Sequence, residues 1–191
     1  MQRRQVAAGL ALALASPALA FAQDKAMSAA PAAMAAMGDA ETKHMQDTMA
    51  AGSLSLATSR VALGKAQDDD VKEFATFEVA EQETIADILK GMKDPSMVSG
   101  SVKAPAEAEV EAMLDAKGKD MVQKLKQAKA GAAFDKEYVQ GQIDGHKDLL
   151  AIQETYLKTG KNPQSIAVAK LARGQIKEHL TLLDDLQKNM G

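Results

Sequence analysis

Cysteine is absent from the 191 residues of the chain, and its absence excludes several kinds of chemistry at once. Disulfide bridges, thiolate metal sites, covalent haem attachment and thiol catalysis all require that side chain. Aromatic residues make up only 3% of the sequence, and alternating runs of β-branched residues are missing. Because such runs are typical of strands, little of the chain is expected to form sheet.

Common functional motifs and a basic surface are also lacking. The sequence contains no G-x-S-x-G nucleophile motif and no glycine-rich phosphate-binding loop. Acidic residues outnumber basic ones, 26 to 23, and the formal net charge is −3. Since nucleic-acid-binding proteins carry basic surfaces, no nucleic-acid partner is expected.

The first 22 residues have the three parts of a secretory signal peptide. Arg3 and Arg4 form a basic start, residues 6–15 form an apolar run, and small residues flank Leu19 and Phe21 as cleavage sites. The apolar run is shorter than the roughly 20 residues that span a bilayer. We therefore expect an exported protein, located in the periplasm, with no transmembrane segment after residues 1–22 are removed.

Residues 23–38 are rich in alanine and methionine and are expected to form a flexible linker before a helical domain at 39–191. Four methionines at helical spacing lie in and after this linker: Met34, Met37, Met45 and Met49. Thioethers bind Cu(I), so copper handling by this segment is one hypothesis. The alternative is that these methionines fill the core and the linker without binding metal.

Apolar residues recur with helical periodicity over most of the remaining chain. The pattern predicts four long helices, at about 39–66, 71–92, 134–158 and 163–189, with one or two short helices within 106–130. At 1.5 Å per residue the long helices would be roughly 30–40 Å long. The expected fold is therefore all-α, a four-helix bundle with the short helices between the second and third long ones.

Polar residues interrupt the apolar stripes of three of these helices. They are Glu78, Glu81 and Gln82 on the second long helix, Tyr138, Gln142 and His146 on the third, and His179 on the last. Tyr138, Gln142 and His146 are spaced i, i+4, i+8 and so share one face. Polar side chains from three helices are therefore expected at one level of the core.

A metal site is the first interpretation of this group. His146 and His179, with Glu78 or Glu81, would suit a divalent ion such as zinc, iron or manganese. Bundles that hold two ions place a glutamate three residues before each histidine, but isoleucine occupies both positions here. The pattern therefore does not match a two-ion centre, and a site for one ion is what the metal interpretation retains.

The second interpretation is structural. Buried polar side chains are usually hydrogen-bonded, and Tyr138, Gln142, His146 and His179 would satisfy one another, with Gln82 nearby. Such a network would fix the helix register without binding a ligand. The sequence leaves both interpretations open.

Three stretches of the chain resemble an exported bacterial family. They are FDKEYVQGQIDGH from Phe134, GKNP from Gly160, and KEHL with His179. Together with ALGKAQDDDVKEFA in the first half, they are similar to the domain-of-unknown-function family 4142 over about residues 45–187. The resemblance implies a ferritin-like bundle and export, but no activity. Ser55 stands where the family often has a glutamate, which weakens any two-ion centre.

The expected role is non-enzymatic binding or structure, with a link to envelope stress as a hypothesis. Two alternatives concern metals: a metal-binding or redox protein that uses His146 and His179, and copper handling by the methionine-rich segment. Binding of a protein partner through an exposed helical face also stays open.

Overall fold

The computed structural model describes residues 37–190, and every long element in that range is an α-helix. The helices are α1 Asp39–Lys65, α2 Asp69–Lys93, α3 Glu107–Met113, α4 Ala116–Gln127, α5 Ala132–Thr159 and α6 Pro163–Asn189, with a 3-10 turn at Pro95–Met97. The predicted all-α class is confirmed, and the region between the second and third long helices contains two short ones. The predicted signal peptide and most of the predicted linker lie outside the described residues.

Among the four long helices, α1 packs against α2 and α5, and α5 packs against α6. Side chains of α2 also contact α6. The short helices α3 and α4 lie mainly against α1. None of the helices in residues 37–190 is long and apolar enough to cross a membrane.

Small side chains and few aromatic rings build the larger apolar cluster of the bundle. Its buried members are Ala62, Ala66, Val71, Phe74, Ala75, Leu125, Phe134, Tyr138, Val139, Ile143 and Leu183. A fully buried phenylalanine contributes about 1.5–3 kcal/mol through removal of its apolar surface from water. The rings of Phe74, Phe134 and Tyr138 therefore carry much of the burial in this aromatic-poor chain.

Side-chain caps fix where α2 and α6 begin. Asp68 precedes α2, and its carboxylate accepts hydrogen bonds from the backbone N–H groups two and three residues later. Asn162 precedes α6 and does the same, with Pro163 at the first helical position. Such caps satisfy N–H groups that have no partner inside the helix. The predicted start of the last helix is confirmed, whereas α2 begins two residues before the predicted position.

The two helical hairpins, α1–α2 and α5–α6, repeat at a constant spacing. α1 ends at Lys65 and α5 at Thr159, which are 94 residues apart (159 − 65). The caps Asp68 and Asn162 show the same separation (162 − 68). Counted from these joints, positions of the first hairpin correspond to positions 94 residues later in the second.

In each hairpin, a carboxylate near the start of the first helix accepts hydrogen bonds from the joint between the two helices of the other hairpin. Asp135, near the start of α5, accepts hydrogen bonds from the backbone N–H groups of residues 67 and 68 in the α1–α2 joint, at 3.1–3.3 Å. Glu41, near the start of α1, does the same for residues 161 and 162 in the α5–α6 joint, at 3.0 and 3.3 Å. These reciprocal bonds fix α1 and α5 as antiparallel neighbours and set the register of the polar level between them.

Candidate metal centre

Three buried side chains from three helices meet inside the bundle. They are Glu78 on α2, His146 on α5 and His179 on α6. Glu78 Oε2 lies 3.0 Å from His179 Nδ1 and 3.3 Å from His146 Nε2, and the two ring nitrogens are 3.1 Å apart. The structure thus brings together three of the four residues predicted as metal ligands.

The sizes of these separations fit a single ion. Zinc lies at about 2.0–2.2 Å from nitrogen and carboxylate oxygen ligands. At that bond length, neighbouring ligand atoms of a tetrahedral or octahedral site are roughly 2.8–3.6 Å apart. All three observed separations, 3.0, 3.1 and 3.3 Å, fall in that interval.

The contacts of the two rings bear on which ring nitrogens can bind an ion. His146 Nδ1 lies 2.8 Å from the backbone oxygen of Gln142, which only accepts hydrogen bonds, so the proton is on Nδ1. His179 Nε2 lies 3.3 Å from the carboxylate of Glu81, within ion-pair distance. In the metal-free chain, His146 Nε2 and His179 Nδ1 share a hydrogen bond of 3.1 Å, so a proton lies between them. If neutral His179 instead carries its proton on Nε2, beside Glu81, both facing nitrogens offer lone pairs to an ion. Glu81, the fourth predicted ligand, contacts the far side of His179 and stands outside the ligand triangle.

Glu78 Oε2 has no hydrogen-bond donor, although its carboxylate is fully buried. Among residues 37–190 it is the one side-chain nitrogen or oxygen that is completely shielded from solvent and has no hydrogen-bond partner. The nearby ring nitrogens do not direct an N–H at it, whereas its other oxygen accepts from the Ser55 hydroxyl at 2.5 Å. Three electron-pair acceptors therefore face one another in a dry site, an arrangement that is costly without a cation.

The pKa shifts of Glu78 and His179 both favour a positive charge in the site. Burial alone would raise the pKa of Glu78, but the adjacent rings of His146 and His179, when they are protonated, outweigh it and hold that pKa below its usual range. Burial lowers the pKa of His179, but Glu78 and Glu81 more than compensate, so the net shift is upward. In the absence of a metal ion, the site therefore attracts a proton.

Polar side chains of α1 form a hydrogen-bonded network with Glu78 on α2 and with residues of α5. The Ser55 hydroxyl lies 2.6 Å from Gln142 Oε1 as well as 2.5 Å from Glu78. The amide of Gln142 donates to Thr58 Oγ1 at 2.8 Å, and Ser59 shares a hydrogen bond of 2.8 Å with the Tyr138 hydroxyl. Tyr138 and Gln142 thus lie in a network as expected, but their partners are on α1.

Sequence reasoning missed the contribution of α1. Ser55, Thr58 and Ser59 recur at spacings of three and four, which places them on one helix face. That spacing was the available signal. Gln82, predicted for the same network, is buried but makes no hydrogen bond within the described range, and its amide oxygen packs against Gly52.

The aromatic ring of Phe74 covers both histidines. Its centroid lies 6.0 Å from the ring of His146 and 5.2 Å from that of His179. This apolar wall lowers the local dielectric and strengthens the charge interactions of the site.

The methionine hypothesis gains no support from the described contacts. Met34 lies outside the described residues. Met45 is buried in the core, and Met49 lines a small cavity beside Gln82. Copper handling by the N-terminal segment stays a prediction.

Comparison with known proteins places the chain in a family. The model of the family described as Domain of unknown function (DUF4142) matches residues 26–186. The chain belongs to the DUF4142 family. The resemblance inferred from the sequence is confirmed, while the ferritin-like topology and the bacterial origin that it implies stay predictions. No curated protein and no solved structure matches the chain.

Proposed function

We propose that this DUF4142 protein is exported and binds one divalent transition-metal ion in the core of its helical bundle. The observation that carries the proposal is the unpartnered Glu78 Oε2, which faces the lone pairs of His146 and His179 at 3.0–3.3 Å. Two imidazoles and one carboxylate suit zinc, iron(II) and manganese(II).

The repeat of the hairpins supports a single ion. The counterparts of Glu78, His146 and His179 at a spacing of 94 residues are Ala172, Gly52 and Ile85, and none of these side chains offers a ligand atom. Ala172 belongs instead to a small apolar cluster with Leu149 and Ile176. A centre with two ions related by the repeat has no ligands for its second ion.

The burial of the ligands supports retention of the ion. Glu78 and His146 are at most 1% exposed, and His179 is 8% exposed. An ion bound by all three would join α2, α5 and α6 and would exchange slowly with solvent. A binding or structural role outside the cytoplasm accords with this closed setting, and residues 1–22 supply the export signal.

Metal analysis of the mature chain tests the proposal. The protein, from residue 23 onward and without a metal-binding tag, is incubated with zinc, iron(II) or manganese(II), desalted and analysed for bound metal. We expect close to one ion per chain in the wild type and a loss of binding in the His146→Ala and His179→Ala variants.

The third histidine of the chain provides the matched control. His44 is also buried, but it pairs with Gln153 at 2.6 Å and stacks on Tyr156. The His44→Ala variant should keep its ion. Metal content no higher in the wild type than in the two ligand variants would overturn the proposal and leave the polar network as the explanation.

A further inference from the structure

Glu81 occupies a distinct position at the edge of the centre. Its carboxylate lies 3.3 Å from Nε2 of His179, on the opposite side of the ring from Glu78. The side chains of His179 and Glu81 are 10% and 9% exposed, compared with 1% for His146 and 0% for Glu78. Glu81 therefore lies between the buried ligands and solvent.

We propose that Glu81 is a positioning residue that holds His179 in the tautomer and orientation needed to bind the ion. This inference rests on the proposed function. A neutral imidazole offers one lone pair, and the partner of the opposite nitrogen decides which nitrogen carries it. With a carboxylate at Nε2, the proton is held there, and Nδ1 faces Glu78 and His146.

Different kinds of partner set the tautomers of His146 and His179. The partner of His146 is the backbone oxygen of Gln142, one helical turn earlier in α5, so helix geometry alone sets its tautomer. His179 has no such backbone partner for Nε2, and the side chain of Glu81 on α2 supplies it instead. The binding competence of His179 therefore depends on one replaceable side chain from a neighbouring helix.

The carboxylate also strengthens the ligand. A negative charge at Nε2–H increases the electron density at Nδ1, and loss of such a partner typically costs about 10–100-fold in metal affinity. A residue that only filled space at this edge would give no such effect.

Zinc affinity of three variants tests the proposal. Glu81→Met removes the acceptor at similar size, and Glu81→Gln removes the charge but keeps an oxygen that can accept. Glu178→Gln is the control, because Glu178 is an exposed acid next to His179 in sequence. Dissociation constants for zinc, measured by chelator competition, should rise about 10–100-fold in Glu81→Met. They should rise less in Glu81→Gln and by no more than about twofold in Glu178→Gln.

Nitrogen-15 NMR of the metal-free proteins, at a pH high enough for His179 to be neutral, supplies a readout that a loss of packing would not give. The ring shifts of His179 should indicate a proton on Nε2 in the wild type and in Glu81→Gln. In Glu81→Met they should show a mixture of tautomers. Unchanged zinc affinity in Glu81→Met, or an unchanged tautomer, would overturn the proposal for Glu81 alone. A wild-type chain that does not bind zinc, iron(II) or manganese(II) would instead overturn the proposed function.

Discussion

Glu78 Oε2 lies 3.0 Å from Nδ1 of His179 and yet receives no hydrogen bond. When neutral His179 carries its proton on the other nitrogen, 3.3 Å from Glu81, the two facing atoms are both electron-pair acceptors. A buried pair of this kind is stabilised only by a cation, either a proton or a metal ion. These groups therefore lower the stability of the metal-free fold.

Replacement of Glu78 by glutamine should separate stability from binding. The amide of the Glu78→Gln variant can donate a hydrogen bond to the lone pairs of His146 and His179. We expect the metal-free variant to be as stable as the wild type or more stable by about 1 kcal/mol, while its metal binding is lost.

Urea unfolding in the presence of a chelator measures this difference. Glu73→Gln, at an exposed position of the same helix, serves as the control and should change neither property. A Glu78→Gln variant that unfolds more easily and still retains its ion would contradict the account of the site.

Bound metal should stabilise the wild-type bundle. An ion that binds only the folded state at 100 times its dissociation constant adds about 2.7 kcal/mol to the free energy of unfolding. Because the ligands come from α2, α5 and α6, the gain should appear in one cooperative transition. Thermal unfolding with zinc and with chelator would show it, and the His146→Ala variant should give the same midpoint in both.

Acid should weaken the bundle through Glu41. The backbone N–H of Lys161 is the main cause that lowers the pKa of Glu41 from 4.5 to about 2, with help from Asn162 and Tyr156. A lowered pKa stabilises the fold above pH 4.5, and that stabilisation is lost as pH falls towards 2. The free energy of unfolding, measured against pH, should decline less steeply over this window in Glu41→Gln than in the wild type.

The exposed acid Asp39, in the same helical turn, offers a comparison for Glu41. Asp39→Asn should leave the decline close to that of the wild type. A Glu41→Gln variant with the same acid dependence as the wild type would show that the α5–α6 joint does not depend on this carboxylate.

Two phenylalanines should differ sharply in their contribution to stability. Phe134 is 1% exposed in the larger apolar cluster, whereas Phe77 is 54% exposed on α2. Truncation of a buried phenylalanine to alanine costs about 3–5 kcal/mol, and surface substitutions usually change stability by about 0.5 kcal/mol or less. Denaturant unfolding of Phe134→Ala and Phe77→Ala should give that contrast. Equal losses in the free energy of unfolding would contradict the assignment of Phe134 to the core and of Phe77 to the surface.

The helices were largely predictable because their signals are local. Apolar periodicity predicted all four long helices, and α6 begins at the predicted residue, where Asn162 is the cap and Pro163 occupies the first helical position. The caps act within one turn, so no knowledge of the tertiary structure was needed. The structure begins α2 two residues before the predicted position, because Asp68 caps the backbone N–H groups of Asp70 and Val71.

The centre was predictable only in part, since it depends on helix rotation and stagger. Periodicity placed Glu78, His146 and His179 on inner faces, but it could not show that they meet, nor that Glu81 contacts the far side of His179. Those facts follow from the reciprocal bonds of Asp135 and Glu41 with the opposite joints, which are separated by many residues in sequence.

The most direct test of the central claim is anomalous diffraction from crystals of the zinc-loaded wild-type chain. The account predicts one zinc peak per chain, at about 2.0–2.2 Å from Glu78 Oε2, His146 Nε2 and His179 Nδ1. A peak at any other group of residues, or no peak within the bundle, would contradict it.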